Sequence, residues 1–77
     1  MYTLADIATH KNKASCYTVI QDKIYDVTMW FKYHPGGEGA ILSICGLDGT
    51  DKFMKRHKGG AKFMNVLSHF QIGTFMK

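Results

Sequence analysis

Several usual staples of a small fold are scarce in this sequence. Of 77 residues two are cysteine, Cys16 and Cys45, whereas a disulfide-framed mini-protein carries four, six or eight. They make a poor framework, and the pair reads instead as a strand residue, Cys16, and a small buried hydrophobe, Cys45. A single proline, Pro35, and the absence of repeats exclude linkers and low-complexity segments. The longest charge-free run, Phe63 to Met76, is fourteen residues and is broken by Asn65, Ser68, His69, Gln71 and Thr74. It is too short and too polar to span a bilayer. Met1 to Lys13 has no basic start followed by an apolar stretch, so no signal peptide is read and a cytoplasmic location is expected.

What is present is a globular balance: 45% hydrophobic, 13% aromatic and 21% charged residues, unlike a disordered chain. Residues 1–77 read as one domain. A chain this short buries only ~60% of the surface its unfolded form exposes, so a bound cofactor is worth seeking. The net charge of +4 is uneven. Residues 51–77 carry Lys52, Lys55, Arg56, Lys58, Lys62 and Lys77 against Asp51 alone. Such a run is most often a solvated face; one short patch, sharing its helix with Phe53 and Met54, is poor evidence for nucleic-acid binding.

Local patterns order the chain. Thr3 with Asp6 three positions on predicts a capped helix over Thr3–Thr9. Cys16–Ile20 and Lys23–Val27 read as a hairpin closed by Gln21–Asp22. Thr28–Lys32 reads as one helical turn capped by Thr28. His34-Pro35-Gly36-Gly37 reads as a turn. Glu38–Cys45 reads as a helix closed by Gly46, and Gly49–Arg56 as another capped by Asp48. After a break at His57–Gly60, Ala61–Leu67 resumes helical spacing, and Phe70–Thr74 alternates as a strand. The class is α+β.

Two histidines, His34 and His57, fall at breaks between helical segments. Around them the sequence supplies bulky apolar groups: Ile20, Val27, Trp30, Phe31, Ile41, Ile44, Phe53, Met54, Phe63 and Phe70. Two imidazoles in an apolar slot suit a planar cofactor whose metal takes two axial ligands, namely haem. With no C-x-x-C-H, covalent attachment of the c type is excluded. H-P-G-G is also simply good turn chemistry, and His57 sits among charges that suit a surface. His10, in a polar stretch, and His69, alternating away from Phe70 and Ile72, read as bystanders.

The segments around the pair decide between these readings. His34-Pro35-Gly36-Gly37, Lys23-Ile24-Tyr25-Asp26-Val27-Thr28, Gly46-Leu47-Asp48-Gly49-Thr50 with Phe53, and Phe70-Gln71-Ile72-Gly73 occur in that order. Together they resemble the cytochrome b5 family over about Tyr2 to Phe75. The resemblance implies a small mixed sheet with two helical hairpins enclosing a haem pocket, and noncovalent haem b with His34 and His57 as axial ligands. It places Ile20, Val27, Trp30, Phe31, Pro35, Gly36, Ile41, Phe53, Phe63 and Phe70 at the cofactor, and Lys58 near a propionate. Three departures stand out. The basic cluster Lys52–Lys62 replaces the family's usual acidic rim, Trp30 is bulkier than the common phenylalanine, and the segment after His57 is about two residues longer.

The function so implied is electron transfer, with iron cycling between ferric and ferrous states, in a protein that is not an enzyme alone. The expected partners are an electron-donor reductase and an acceptor protein with an acidic docking surface, no nucleic acid is expected, and the chain is expected to be a monomer. The alternative is a haem- or sterol-binding regulatory module on the same fold, whose known examples lack the paired histidines.

Overall fold

The computed structural model describes residues 1–33, 37–56 and 61–76, excluding the side chains of residues 56 and 61–63. The chain opens with the capped helix expected. In α1 (Leu4–Ala8) the Asp6 amide donates to the Thr3 hydroxyl at 3.2 Å and the Thr3 amide to the Asp6 carboxylate at 2.8 Å. This reciprocal pair satisfies two amides that the helix start leaves open.

Among the described residues four strands follow: β1 (Lys11–Asn12), β2 (Ser15–Ile20), β3 (Lys23–Asp26) and β4 (Gln71–Thr74), in the order β1-β2-β3-β4 with antiparallel pairing. Isolated parallel bridges join Tyr2 to Phe75 and Val19 to Asp48. The β2–β3 hairpin turns at Gln21 and Asp22, with φ of 51° and 65°. Positive φ at both central residues matches the twist of the flanking strands. β1 lacks a pattern of its own. It forms because the Asn12 side chain accepts the Ala14 and Ser15 amides at 2.9 and 3.1 Å and so turns the chain.

Among the described residues four helices complete the fold: α2 (Trp30–Tyr33), α3 (Glu38–Leu42), α4 (Thr50–Arg56) and α5 (Ala61–Ser68). Thr28 does not cap α2. Its hydroxyl donates to Asp26 Oδ1 at 2.5 Å and accepts the Cys16 amide at 2.9 Å, tying the hairpin instead. The helix expected to reach Cys45 ends at Leu42, and the chain continues in turns to Gly46, whose φ is 75°. From there residues 46–49 run along the free edge of β2. Gly46 donates to Tyr17 O at 2.6 Å, Val19 to Leu47 O at 3.1 Å and Gly49 to Val19 O at 2.8 Å. This cover leaves no strand edge open between Tyr17 and Val19.

The cysteines depart from the sequence reading. Cys16 is a strand residue and Cys45 is buried, as expected, but they are joined in a disulfide across Cα atoms 4.9 Å apart. Strand alternation turns Cys16 to the face on which the chain after α3 returns, which brings the two sulfurs together. With a sequence separation of 29, the cross-link removes about 3–4 kcal/mol of unfolded-chain entropy in the loop-closure picture.

Alternation along β2 and β3 divides the core. Cys16, Ile20, Tyr25 and Val27 face the helices, while Val19 and Ile24 pack with Ile7, Tyr2, Tyr17 and Phe75 on the other side. Gly49 sits where these layers close. A Cβ there would lie 2.8 Å from both Ile44 Cβ and Thr18 Oγ1, two buried side chains. Gly49→Ala is therefore expected to cost about 2 kcal/mol by overpacking. Thermal unfolding followed by circular dichroism should show Tm lower by roughly 10 °C.

Candidate functional site

One apolar cluster lies between the sheet and every helix that follows it. Ile20 of β2 and Val27 after β3 are fully buried beneath it, with Tyr25 at 2% exposure. Ile41 from α3, Phe53 from α4 and Leu67 from α5 close over them, and the Cys16–Cys45 disulfide forms part of the same wall. Trp30 and Phe31 from α2, Met54 from α4, Met64 from α5 and Phe70 pack at its half-buried margin. The Trp30 ring stands edge-on to Phe70 at 5.9 Å and tilted to Phe53 at 6.3 Å.

Among the described residues no charged side chain is buried, and the buried hydroxyl-bearing side chains are Tyr25 and Thr18, the latter donating to Leu47 O at 3.0 Å. Burial pushes the Tyr25 phenol pKa above its ordinary 10.0, keeping it neutral. Aromatic faces, branched aliphatics and soft sulfurs without charge suit a flat, apolar macrocycle rather than a polar substrate.

Eight of the residues singled out in the sequence meet here: Ile20, Val27, Trp30, Phe31, Ile41, Phe53, Met54 and Phe70. His34, Pro35, Gly36, His57 and Lys58 lie outside the described residues, as does the side chain of Phe63. The two histidines belong to the segments that join α2 to α3 and α4 to α5, the helices that wall the cluster. Tyr25, Leu67 and Met64 share the cluster but were not singled out by sequence. Helical spacing and strand alternation mark them as core, and nothing in those patterns separates a pocket wall from ordinary packing.

The other histidines stand apart. His10 is no bare polar residue: its ring stacks on Tyr17 at 3.8 Å and Nδ1 meets Ser15 Oγ at 2.7 Å, which fixes β1 to β2. His69 is exposed. Of the basic run, Lys52 and Lys55 are exposed on α4 with Asp51, so the positive face lies on the helix that leads to His57. Among the described residues no helix is long and apolar enough to cross a membrane.

Comparison with known proteins places this architecture. The family described as "Cytochrome b5-like Heme/Steroid binding domain" matches residues 3–76. A cytochrome b5 of Borago officinalis is 40% identical over 74 residues, 95% of this chain and 54% of that protein. A nitrate reductase [NADH] of Volvox carteri is 40% identical over 75 residues, 97% of this chain but 8% of the reductase. The chain thus spans about half the length of the first and a small part of the second. Among solved structures, cytochrome b558 of Ectothiorhodospira vacuolata, a prokaryotic homologue of cytochrome b5, superposes with a TM-score of 0.82 at 30% identity. The match covers 95% of this chain and 94% of that one.

Proposed function

We propose a function from one premise: the chain belongs to the cytochrome b5 family. It is an electron-transfer domain that holds noncovalent haem b, acting alone or as part of a larger oxidoreductase. The observation that carries this reading is the single uncharged cluster walled by α2–α5, with His34 in the segment joining the first pair of helices and His57 in the segment joining the second. When bound, haem would supply one-electron chemistry through ferric and ferrous iron.

The chain's own residues do the rest. His34 and His57 would hold the iron and so keep dioxygen and substrates away from it. Ile20, Val27, Ile41 and Phe53 exclude water from the pocket, and Trp30, Phe31 and Phe70 cover its margin. Pro35, Gly36 and Phe63 would complete the cofactor's surroundings, and Lys58 would meet a propionate. An apolar, cross-linked wall limits rearrangement when charge changes, which favours rapid transfer. The paired histidines weigh against the sterol-binding alternative. The Cys16–Cys45 disulfide weighs against the cytoplasm, where thiols are kept reduced.

Titrating the purified chain with ferric haem tests the proposal. One equivalent should bind with a low-spin, six-coordinate spectrum and survive repeated chemical reduction and reoxidation. A chain that takes up no haem, or binds it in a high-spin ferric form, sinks the assignment.

The donor and acceptor would be proteins, and the basic face points to an acidic docking surface on them. Opposed patches speed encounter and make the rate fall with ionic strength. A unit charge ~10 Å from iron contributes about 0.4 kcal/mol in water, roughly 10–20 mV before screening. Reversing Lys55 and Arg56 to glutamate together should therefore lower the reduction potential by a few tens of millivolts and slow transfer to an acidic partner at low salt. Potentiometry and stopped-flow kinetics read both quantities. If neither moves, the cluster is only a solvated face.

A further inference from the structure

The disulfide belongs to the apolar cluster of the candidate site rather than lying beside it. Cys16 and Cys45 are 0% and 4% exposed and share one cluster with Ile20, Val27, Ile41 and Phe53. The bond encloses residues 17–44, and with them α2, the His34 segment and α3. Both ends of that stretch are anchored at the bond. Cys16 exchanges backbone contacts with the chain just before α2, its carbonyl accepting the Val27 amide at 2.9 Å and its amide donating to Thr28 Oγ1 at 2.9 Å. Cys45 closes the turn that follows α3, immediately before the Gly46–Gly49 segment bound along β2.

We propose that the Cys16–Cys45 disulfide and haem occupancy are coupled, the bond clamping the His34-bearing hairpin onto the sheet and the bound cofactor shielding the bond from reduction. Thiol–disulfide exchange needs a thiolate to reach one of the sulfurs. With both buried, a reductant gains access only when the pocket opens. A small-molecule dithiol would attack one sulfur to form a mixed disulfide. Its second thiol then displaces the remaining cysteine, and the reductant ends as a cyclic disulfide. Two electrons and two protons pass to Cys16 and Cys45, which are left as thiols, and the iron takes no part. Linkage makes the effect reciprocal: the factor by which reduction weakens haem binding is the factor by which haem disfavours the dithiol.

This inference rests on the haem-binding reading, and its test separates the two. Ferric haem-loaded chain, with the disulfide intact or with Cys16→Ala and Cys45→Ala combined, is mixed with excess apomyoglobin, and haem loss is followed at the Soret band. In parallel, the unmodified sequence is treated with dithiothreitol with and without haem, and new thiols are counted by alkylation and mass spectrometry. This second arm needs no variant to fold. Haem loss should be at least about fivefold faster without the bond, and the haem-free chain should be reduced at least about fivefold faster than the loaded one. Equal rates in either arm, with haem shown to be bound, overturn the coupling. So do two alkylatable thiols before any reductant is added. An oxidised chain that never takes up haem instead overturns the functional reading.

Discussion

Replacing His34 or His57 with alanine is expected to convert a low-spin, six-coordinate spectrum into one with an open coordination site. The cluster itself is closed by Ile20, Val27, Ile41, Phe53 and Leu67, so the substitutions test ligation rather than core packing. Loss of one of two strong ligands should weaken haem retention on the order of a hundredfold, about 2.7 kcal/mol. The ferrous variant should bind carbon monoxide and the parent protein should not. His10 offers no substitute ligand, because its ring is stacked on Tyr17 and held by Ser15. His69 is different. It is exposed and lies between α5 and β4, with its amide bonded to Val66 O at 3.2 Å. If His57→Ala leaves the spectrum unchanged, His69 becomes the second ligand to test. If His34→Ala also leaves it unchanged, the bis-histidine assignment is wrong.

The features legible in the sequence are those with local causes. The capping box of Thr3 and Asp6 and the two-residue turn at Gln21–Asp22 both form as written. Each depends on neighbours a few positions away, so residue type and spacing specify it. The helix stop expected at Gly46 falls earlier: Ser43 caps α3, and Ile44 and Cys45 have already left the helix to let the chain return to β2. That return is a tertiary event between residues nearly thirty positions apart, and periodicity carries no trace of it. The disulfide belongs to the same event. Counting cysteines argued against a framework, and only the approach of the two chain segments shows that this pair can bond.

The site divides in the same way. Ile20, Val27, Ile41 and Phe53 were legible because alternation and helical spacing aim them at one interior. Thr28 was misassigned for the opposite reason. A threonine before a helix commonly caps it, but here Asp26 and Cys16 compete for the hydroxyl and hold it at the hairpin. That competition has a use, because it fixes the chain at the point where strand gives way to the helix preceding His34.

Removing haem is expected to destabilise the protein unevenly, the helical half losing far more protection than the sheet. Ligand binding to the native state alone contributes RT ln(1 + [L]/Kd), roughly 4 kcal/mol at a thousandfold excess over Kd. In the proposed pocket the contribution would fall on the residues of the apolar cluster: Ile41, Phe53, Leu67 and the margin formed by Trp30, Phe31 and Phe70. The far side of the sheet has a core of its own, in which Ile7, Val19 and Ile24 are fully buried under Tyr2, Tyr17 and Phe75. Its hydrogen bonds do not depend on the pocket: Tyr2 donates to Thr74 O at 2.9 Å, Tyr17 to His10 O at 3.0 Å and Phe75 to Asp22 O at 2.9 Å. Hydrogen exchange by mass spectrometry on the haem-free chain should therefore show early labelling of α3, α4 and α5 and late labelling of β2, β3 and α1. The disulfide sharpens the expectation. By holding Cys45 at Cys16 it keeps the Gly46–Gly49 segment against β2, so the amides of Gly46 and Gly49 should exchange with the sheet. Uniform labelling across both halves would show that the sheet and the helices unfold as one unit, and the two-core description would fail.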